Sequence, residues 1–130
     1  MKCLDTALLV AILRGNHEAE GKMHELDEEG RQATTAVNAF EIFYGAYKSM
    51  RREANVQESR RLLARLMVLP LDQESAEKAG QAFAELESRG ALVEFRDVLV
   101  AGISLRNRLT LVTRNEEHYS RISQLKIEKW

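Results

Sequence analysis

Hydrophobic residues recur along the chain with two different spacings, and their alternation predicts helices separated by short strands. Steps of three and four residues, as in Val37, Phe40, Tyr44 and Tyr47, are typical of the apolar face of a helix. Short β-branched runs, clearest at residues 109–113, are typical of strands. Helices are predicted at residues 7–14, 17–29, 36–50, 53–67, 73–89, 97–107 and 116–122, and short strands or extended segments at 2–5, 31–35, 68–71, 93–96, 109–113 and 126–128.

This order of elements indicates an α/β fold, with a mainly parallel sheet between layers of helices. The chain has seven glycines and one proline, and no segment reads as a linker, so we expect one domain over residues 1–130. In open parallel sheets, ligands bind beyond the carboxyl ends of the strands. Three junctions therefore stand out: Asp5 after the first strand, Asp97 at the start of a helix, and residues 113–115 after the clearest strand.

The composition narrows the class of protein. With 45% hydrophobic residues the chain is not a disordered polymer, and a net charge of −1 excludes a strongly basic nucleic-acid binder. The single cysteine, Cys3, excludes an intrachain disulfide and a cysteine-rich zinc site. The longest apolar run, Ala7–Leu13, is far shorter than the roughly 20 residues that span a bilayer. We therefore expect a soluble, cytoplasmic protein that makes no use of a membrane.

Three acids lie among apolar residues and are the candidates for chemistry. Asp5 and Asp97 each stand at the start of an apolar helix, where a carboxylate can also simply interact with backbone N–H groups. Glu41 falls at the edge of the apolar stripe of its helix, although an exposed position is the more common one for a single glutamate. Carboxylates that converge in one cleft repel each other, and a hard dication such as Mg²⁺ or Mn²⁺ removes that repulsion. Such a site activates water for attack on a phosphoryl group.

Two other classes of α/β enzyme fit the sequence poorly. Phosphatases with an Asp-x-Asp nucleophile pair need a second aspartate two residues after the first, and Ala7 occupies that position. A dinucleotide-binding domain needs a Gly-x-Gly-x-x-Gly run after a strand, and the chain has none.

The ordered set of motifs resembles the PIN domain, and more narrowly the VapC-type toxins of toxin–antitoxin pairs. The motifs are Asp5-Thr6 after the first strand, Thr35-x5-Glu41-x3-Gly45-Ala46, Asp97 opening an apolar helix, and Leu111-Val112-Thr113-Arg114-Asn115. The resemblance runs from Asp5 to about Ile122. It implies a three-layer sandwich with a central, mainly parallel sheet of about five strands. It also implies a magnesium- or manganese-dependent endoribonuclease that forms a homodimer and is neutralised by a small VapB-like antitoxin.

The resemblance also assigns expected roles to individual residues. Asp5 and Asp97 correspond to the principal metal ligands, and Glu41 corresponds to the third acid, which is also an expected metal ligand. Asn115 matches a position that holds Asp or Asn in the family and completes the expected catalytic set with these three acids. We expect one bound metal ion rather than two. The hydroxyls of three threonines are expected to hydrogen-bond the acids, namely Thr6, Thr35 and Thr113.

The chain departs from the family pattern at one place. The family often has an Asp-Phe pair soon after the asparagine, and this chain has His118-Tyr119. This departure motivates an alternative function, a catalytically weak PIN-fold module that binds RNA or protein. His118 is expected on the surface of its short helix.

A basic cluster lies on the third and fourth predicted helices, and its members are Arg51, Arg52, Arg60, Arg61 and Arg65. Two interpretations of this cluster remain open: a solvated charged face, or a surface that contacts RNA or an acidic segment of the antitoxin.

Overall fold

The computed structural model describes residues 1–130 as an α/β fold of five strands and seven helices. The strands are β1 (Cys3–Leu4), β2 (Ala33–Thr35), β3 (Met67–Leu69), β4 (Leu111–Val112) and β5 (Ile127–Glu128). The helices are α1 (Thr6–Leu13), α2 (His17–Glu28), α3 (Ala36–Lys48), α4 (Arg52–Ala64), α5 (Gln73–Ser88), α6 (Phe95–Arg106) and α7 (Glu116–Tyr119). No helix has the length and apolar character needed to cross a membrane.

All five strands are parallel, in the order β3-β2-β1-β4-β5. The predicted three-layer arrangement is confirmed, because successive residues of the central strands face opposite layers. Leu4 and Val112 pack into a core with α1 to α4, whereas Cys3 and Leu111 pack into a second core with α5, α6 and α7. The two central strands β1 and β4 are therefore covered on both faces, as expected for a parallel sheet.

Two local expectations were wrong. Helix α6 begins at Phe95, two residues before the expected start at Asp97, so Asp97 lies in the first turn of the helix. The predicted aromatic face of α3 is turned away from the core, since Phe40, Tyr44 and Tyr47 are exposed while other α3 side chains are buried, namely Asn38, Ile42 and Ala46.

Helices α5 and α6 approach each other closely at Gly102. A Cβ atom built there would lie 2.6 Å from the carbonyl oxygen of Ser75 and 2.7 Å from the Cβ of Ala79. These distances are shorter than real Cβ contacts, so the close packing of α6 on α5 requires glycine at this position. The contact fixes where α6, and with it Asp97, sits relative to the sheet.

Candidate active site

The two central strands bring Asp5 and Thr113 together at the carboxyl edge of the sheet. Leu4 is paired in register with Val112, so the residue after each strand lies beside the other. The Asp5 N–H donates to the Val112 carbonyl at 3.1 Å, and the Thr113 hydroxyl donates to Asp5 Oδ2 at 2.7 Å. The Asp5 side chain is held in place and buried, with 7% of the residue exposed.

Asp97 reaches the same position from the first turn of α6. Its Oδ1 lies 3.3 Å from the Tyr119 hydroxyl, which also lies 3.5 Å from Asp5 Oδ1. Its Oδ2 accepts from the Asn115 amide at 3.2 Å and lies 3.5 Å from His118 Nδ1. The structure therefore brings Asp5, Asp97 and Asn115 into one cluster, although the two acids are 92 positions apart in the sequence.

Glu41 lies at the side of this pair, on α3. The Thr6 hydroxyl is 3.2 Å from Glu41 Oε1 and 2.9 Å from the Asn38 amide oxygen, so Thr6 links α1 to α3. Asn38 is buried and donates to the carbonyl of Leu4 at the end of β1. Glu41 forms one ion pair, with Arg96, whose guanidinium is 3.8 Å from Oε2.

The charges of these acids act on one another. Burial raises the pKa of Asp5 to about 6, the Thr113 hydrogen bond opposes that rise, and the nearby charges of Asp97 and Glu41 add to it. Burial also raises the pKa of Glu41, against the opposing effects of Thr6 and Arg96. The three carboxylates thus share one electrostatic environment in which negative charge is not fully compensated.

The residues present fit a hard dication that keeps part of its water shell. Their donor atoms are carboxylate and amide oxygens, and Mg²⁺ is usually bound by one or two carboxylates together with waters and substrate phosphates. No three His, Cys, Asp or Glu side chains converge closely enough to surround a metal ion by themselves. The arrangement is an open pair of aspartates, with Glu41 and Asn115 at its margin.

The predicted supporting residues behave differently from one another. Thr113 and Thr6 hydrogen-bond acids, as expected. Thr35 does not, because its hydroxyl accepts from the Asn38 N–H and caps α3. His118 lies on its short helix with 40% of its side chain exposed, and its Nδ1 is 3.5 Å from Asp97 Oδ2, a contact that the sequence did not predict.

Sequence reasoning missed Tyr119, which is completely buried between the two aspartates. The available signal was a tyrosine where the family pattern has phenylalanine, four residues after Asn115. Buried tyrosine hydroxyls usually find a hydrogen-bond partner, so a tyrosine at this position indicates a polar contact inside the core.

The basic cluster is largely occupied by local contacts. Arg61 pairs with Glu58 at 2.6 Å, and Arg65 pairs with Asp27 at 2.8 Å. Arg52 donates to the carbonyl of Tyr47. These contacts favour the interpretation as a solvated charged face for three of the five arginines.

Comparison with known proteins gives a consistent result. The model of the PIN domain family matches residues 2–125. The chain is 31% identical over 127 residues to the tRNA(fMet)-specific endonuclease VapC of Salmonella typhimurium, covering 98% of this chain and 96% of that protein. Its fold is similar to VapBC2 from Rickettsia felis bound to a promoter DNA fragment, with a TM-score of 0.92, 25% identity, and coverage of 99% and 98% of the two chains.

A second structure, the DNA-bound VapBC from Salmonella typhimurium, has a TM-score of 0.91, 30% identity, and coverage of 100% of this chain and 99% of that one. The resemblance inferred from the motifs is confirmed over nearly the whole chain. The chain therefore belongs to the PIN domain family, and within it to the VapC proteins.

Proposed function

We propose that this protein is an endoribonuclease that uses Mg²⁺ or Mn²⁺ and serves as the toxin of a VapBC-type toxin–antitoxin pair. The observation that carries the proposal is the convergence of Asp5 and Asp97 at the carboxyl edge of the parallel sheet. Neither carboxylate forms an ion pair with a lysine or arginine, although Asp5 is buried. The similarity to proteins named as VapC endonucleases supports ribonucleolytic activity.

In this proposal, Asp5 and Asp97 hold the ion. The bound cation would place positive charge beside the scissile phosphate and make a neighbouring water more acidic. Thr113 and Asn115 orient the two carboxylates through hydrogen bonds to Asp5 Oδ2 and Asp97 Oδ2, which we call the outer oxygens. Glu41, held by Thr6 at the open side of the pair, accepts the proton that the attacking water releases.

The surface beside the site supports a VapB-like antitoxin as partner. An open groove of about 250 Å³ runs from Glu41 between α1, α3 and α4, with an apolar side formed by Val10, Leu13, Ile42 and Ala46. A segment of antitoxin bound there would cover the approach to Glu41. Two similar structures are those of VapBC2 from Rickettsia felis and VapBC from Salmonella typhimurium, which is consistent with such a partner.

A homodimer is part of the same proposal. The exposed aromatic side chains of α3 form an apolar surface that a second copy of the chain can cover. Light scattering of the purified protein measures this directly, and a monomer at micromolar concentration would contradict it.

The proposed activity is tested by cleavage of RNA with purified Asp97→Asn protein. Initiator tRNA(fMet) is the first substrate to try, because the Salmonella relative is named for it. We expect cleavage in Mg²⁺ or Mn²⁺ to fall by more than about 100-fold, because a direct ligand should matter at least as much as the residues that orient it. Asp27→Asn is the matched control, since Asp27 is an exposed aspartate on α2 paired with Arg65.

Undiminished cleavage by Asp97→Asn protein would reject the site. Retention of RNA without divalent ions, together with no cleavage in their presence, would instead favour the binding module.

A further inference from the structure

The Tyr119 hydroxyl is the one group that touches both aspartates of the candidate active site. It lies 3.5 Å from Asp5 Oδ1 and 3.3 Å from Asp97 Oδ1. The ring is fully buried in the core formed with α5 and α6, so it has no freedom to turn toward solvent. The buried ring therefore holds the hydroxyl in one position between two acids that come from distant parts of the sequence.

The outer oxygens of the two carboxylates have separate partners. Thr113 donates to Asp5 Oδ2, and the amide of Asn115 donates to Asp97 Oδ2. The inner oxygens share Tyr119, whose single proton serves one carboxylate at a time. The angle at which the two carboxylates face each other therefore depends on a hydroxyl that a phenylalanine, the residue in the family pattern, would not supply.

We propose that Tyr119 is a positioning residue of the candidate metal centre, whose hydroxyl sets the mutual orientation of the Asp5 and Asp97 carboxylates before a divalent cation binds. The inference rests on the proposed function for the presence of that cation. It adds a role for a side chain that is not itself a ligand. Groups that hydrogen-bond metal ligands typically affect metal affinity by 10- to 100-fold.

The test is Mn²⁺ binding by metal-free protein carrying Tyr119→Phe, measured by electron paramagnetic resonance of free Mn²⁺. Phenylalanine fills the same space, so the variant removes the hydroxyl alone. We expect the Kd for Mn²⁺ to rise by about 10-fold. Tyr47→Phe is the matched control, since Tyr47 is exposed on α3, and its Kd should equal that of the unchanged protein. A Tyr119→Phe Kd within twofold of the unchanged protein, or a lower one, would overturn the proposal.

A second measurement uses the unchanged protein and needs no variant of Tyr119 to fold. A cation that draws the two carboxylates to itself changes the hydrogen bonds of the Tyr119 hydroxyl, so Mg²⁺ should produce a tyrosine band in the ultraviolet difference spectrum. The band should persist in Tyr47→Phe protein, and its absence at saturating Mg²⁺ would overturn the proposal.

The outcomes also separate this inference from the proposed function. Weaker Mn²⁺ binding by Tyr119→Phe protein in a chain that cleaves no RNA would support the positioning role and reject the nuclease. RNA cleavage together with unchanged Mn²⁺ binding by the variant would do the reverse. A protein that binds no Mn²⁺ at all would overturn both.

Discussion

The acids of the candidate active site and the acids around Lys2 and Lys22 occupy opposite electrostatic situations. We term the second group the lysine–glutamate cluster; its members are Lys2, Lys22, Glu29 and Glu128. Glu128 forms ion pairs with the Nζ atoms of Lys2, at 2.8 Å, and Lys22, at 2.7 Å. These hydrogen bonds lower the pKa of Glu128. At the active site, burial raises the pKa of Asp5 to about 6, and no lysine or arginine contacts it.

The difference separates a structural cluster from a candidate site. The lysine–glutamate cluster joins α2 and the residue before β1 to the strand β5, and its two positive and two negative charges balance each other. The aspartate pair is held by neutral donors that fix its shape and leave its charge in place. Perturbed carboxyls of this kind concentrate at functional sites, and the missing charge here is one that a cation from solution can supply.

The largest expected effect comes from removing the charge of Asp5. The folded state holds the Asp5 proton more tightly than the unfolded chain, with a pKa of about 6 against 3.8, so the free energy of unfolding falls as pH rises between these values. In metal-free protein the loss is about 3 kcal/mol at pH 7.5. Asp5→Asn should therefore abolish RNA cleavage and yet stabilise the fold by up to about 3 kcal/mol.

Urea unfolding in EDTA between pH 4 and 7.5 measures this effect. The difference in stability between the two proteins should shrink as the pH falls and become small near pH 4, where Asp5 is protonated in the folded state and partly protonated in the unfolded chain. Curves that run parallel across the whole range would show that Asp5 carries no uncompensated charge.

A divalent ion should act on one cluster and leave the other unaffected. Mn²⁺ at 100 times its Kd is expected to raise the free energy of unfolding by about 2.7 kcal/mol, through binding to the folded state alone. Glu128→Gln protein should show the same increase and Asp5→Asn protein none, in thermal unfolding at pH 7.5. Equal stabilisation of all three proteins would place the ion elsewhere.

The smallest expected effect belongs to the lysine–glutamate cluster. Glu128→Gln leaves two lysines without their shared partner and should lower the free energy of unfolding by about 1 kcal/mol. Glu25 pairs with Lys22 at 3.3 Å from a more exposed position, so Glu25→Gln serves as the control with almost no change. An increase in the free energy of unfolding of Glu128→Gln protein would contradict the proposed difference between the two groups of acids.

The sequence predicted the parts of the site that follow from sheet geometry. Asp5 and Thr113 come directly after two apolar strands, and parallel neighbours deliver such residues to the same edge. The start of α6 was predicted two residues too late, at Asp97 instead of Phe95, because Glu94 precedes the helix without a side-chain cap that would mark its beginning. Asp97 still faces the site from the first turn of the helix.

The errors have a common physical origin in contacts across long separations. The spacing of aromatic residues on α3 indicates a helix but does not say which face is buried. That choice is linked to Asn38, whose amide binds the carbonyl of Leu4 and the hydroxyl of Thr34 against the sheet. Tyr119 lies on a helix of four residues, too short for a periodic signal, and its partner Asp5 is 114 residues away.

Gly102 shows how far the influence of packing extends beyond the residues that carry chemistry. It lies five residues after Asp97, about 7.5 Å along α6, against Ser75 and Ala79 of α5. One added methyl group would push the two helices apart, and the displaced helix would carry its carboxylate away from Asp5. Loss of activity can therefore originate at a buried position that touches neither RNA nor metal, and a screen for inactive variants would be expected to recover it beside the acids themselves.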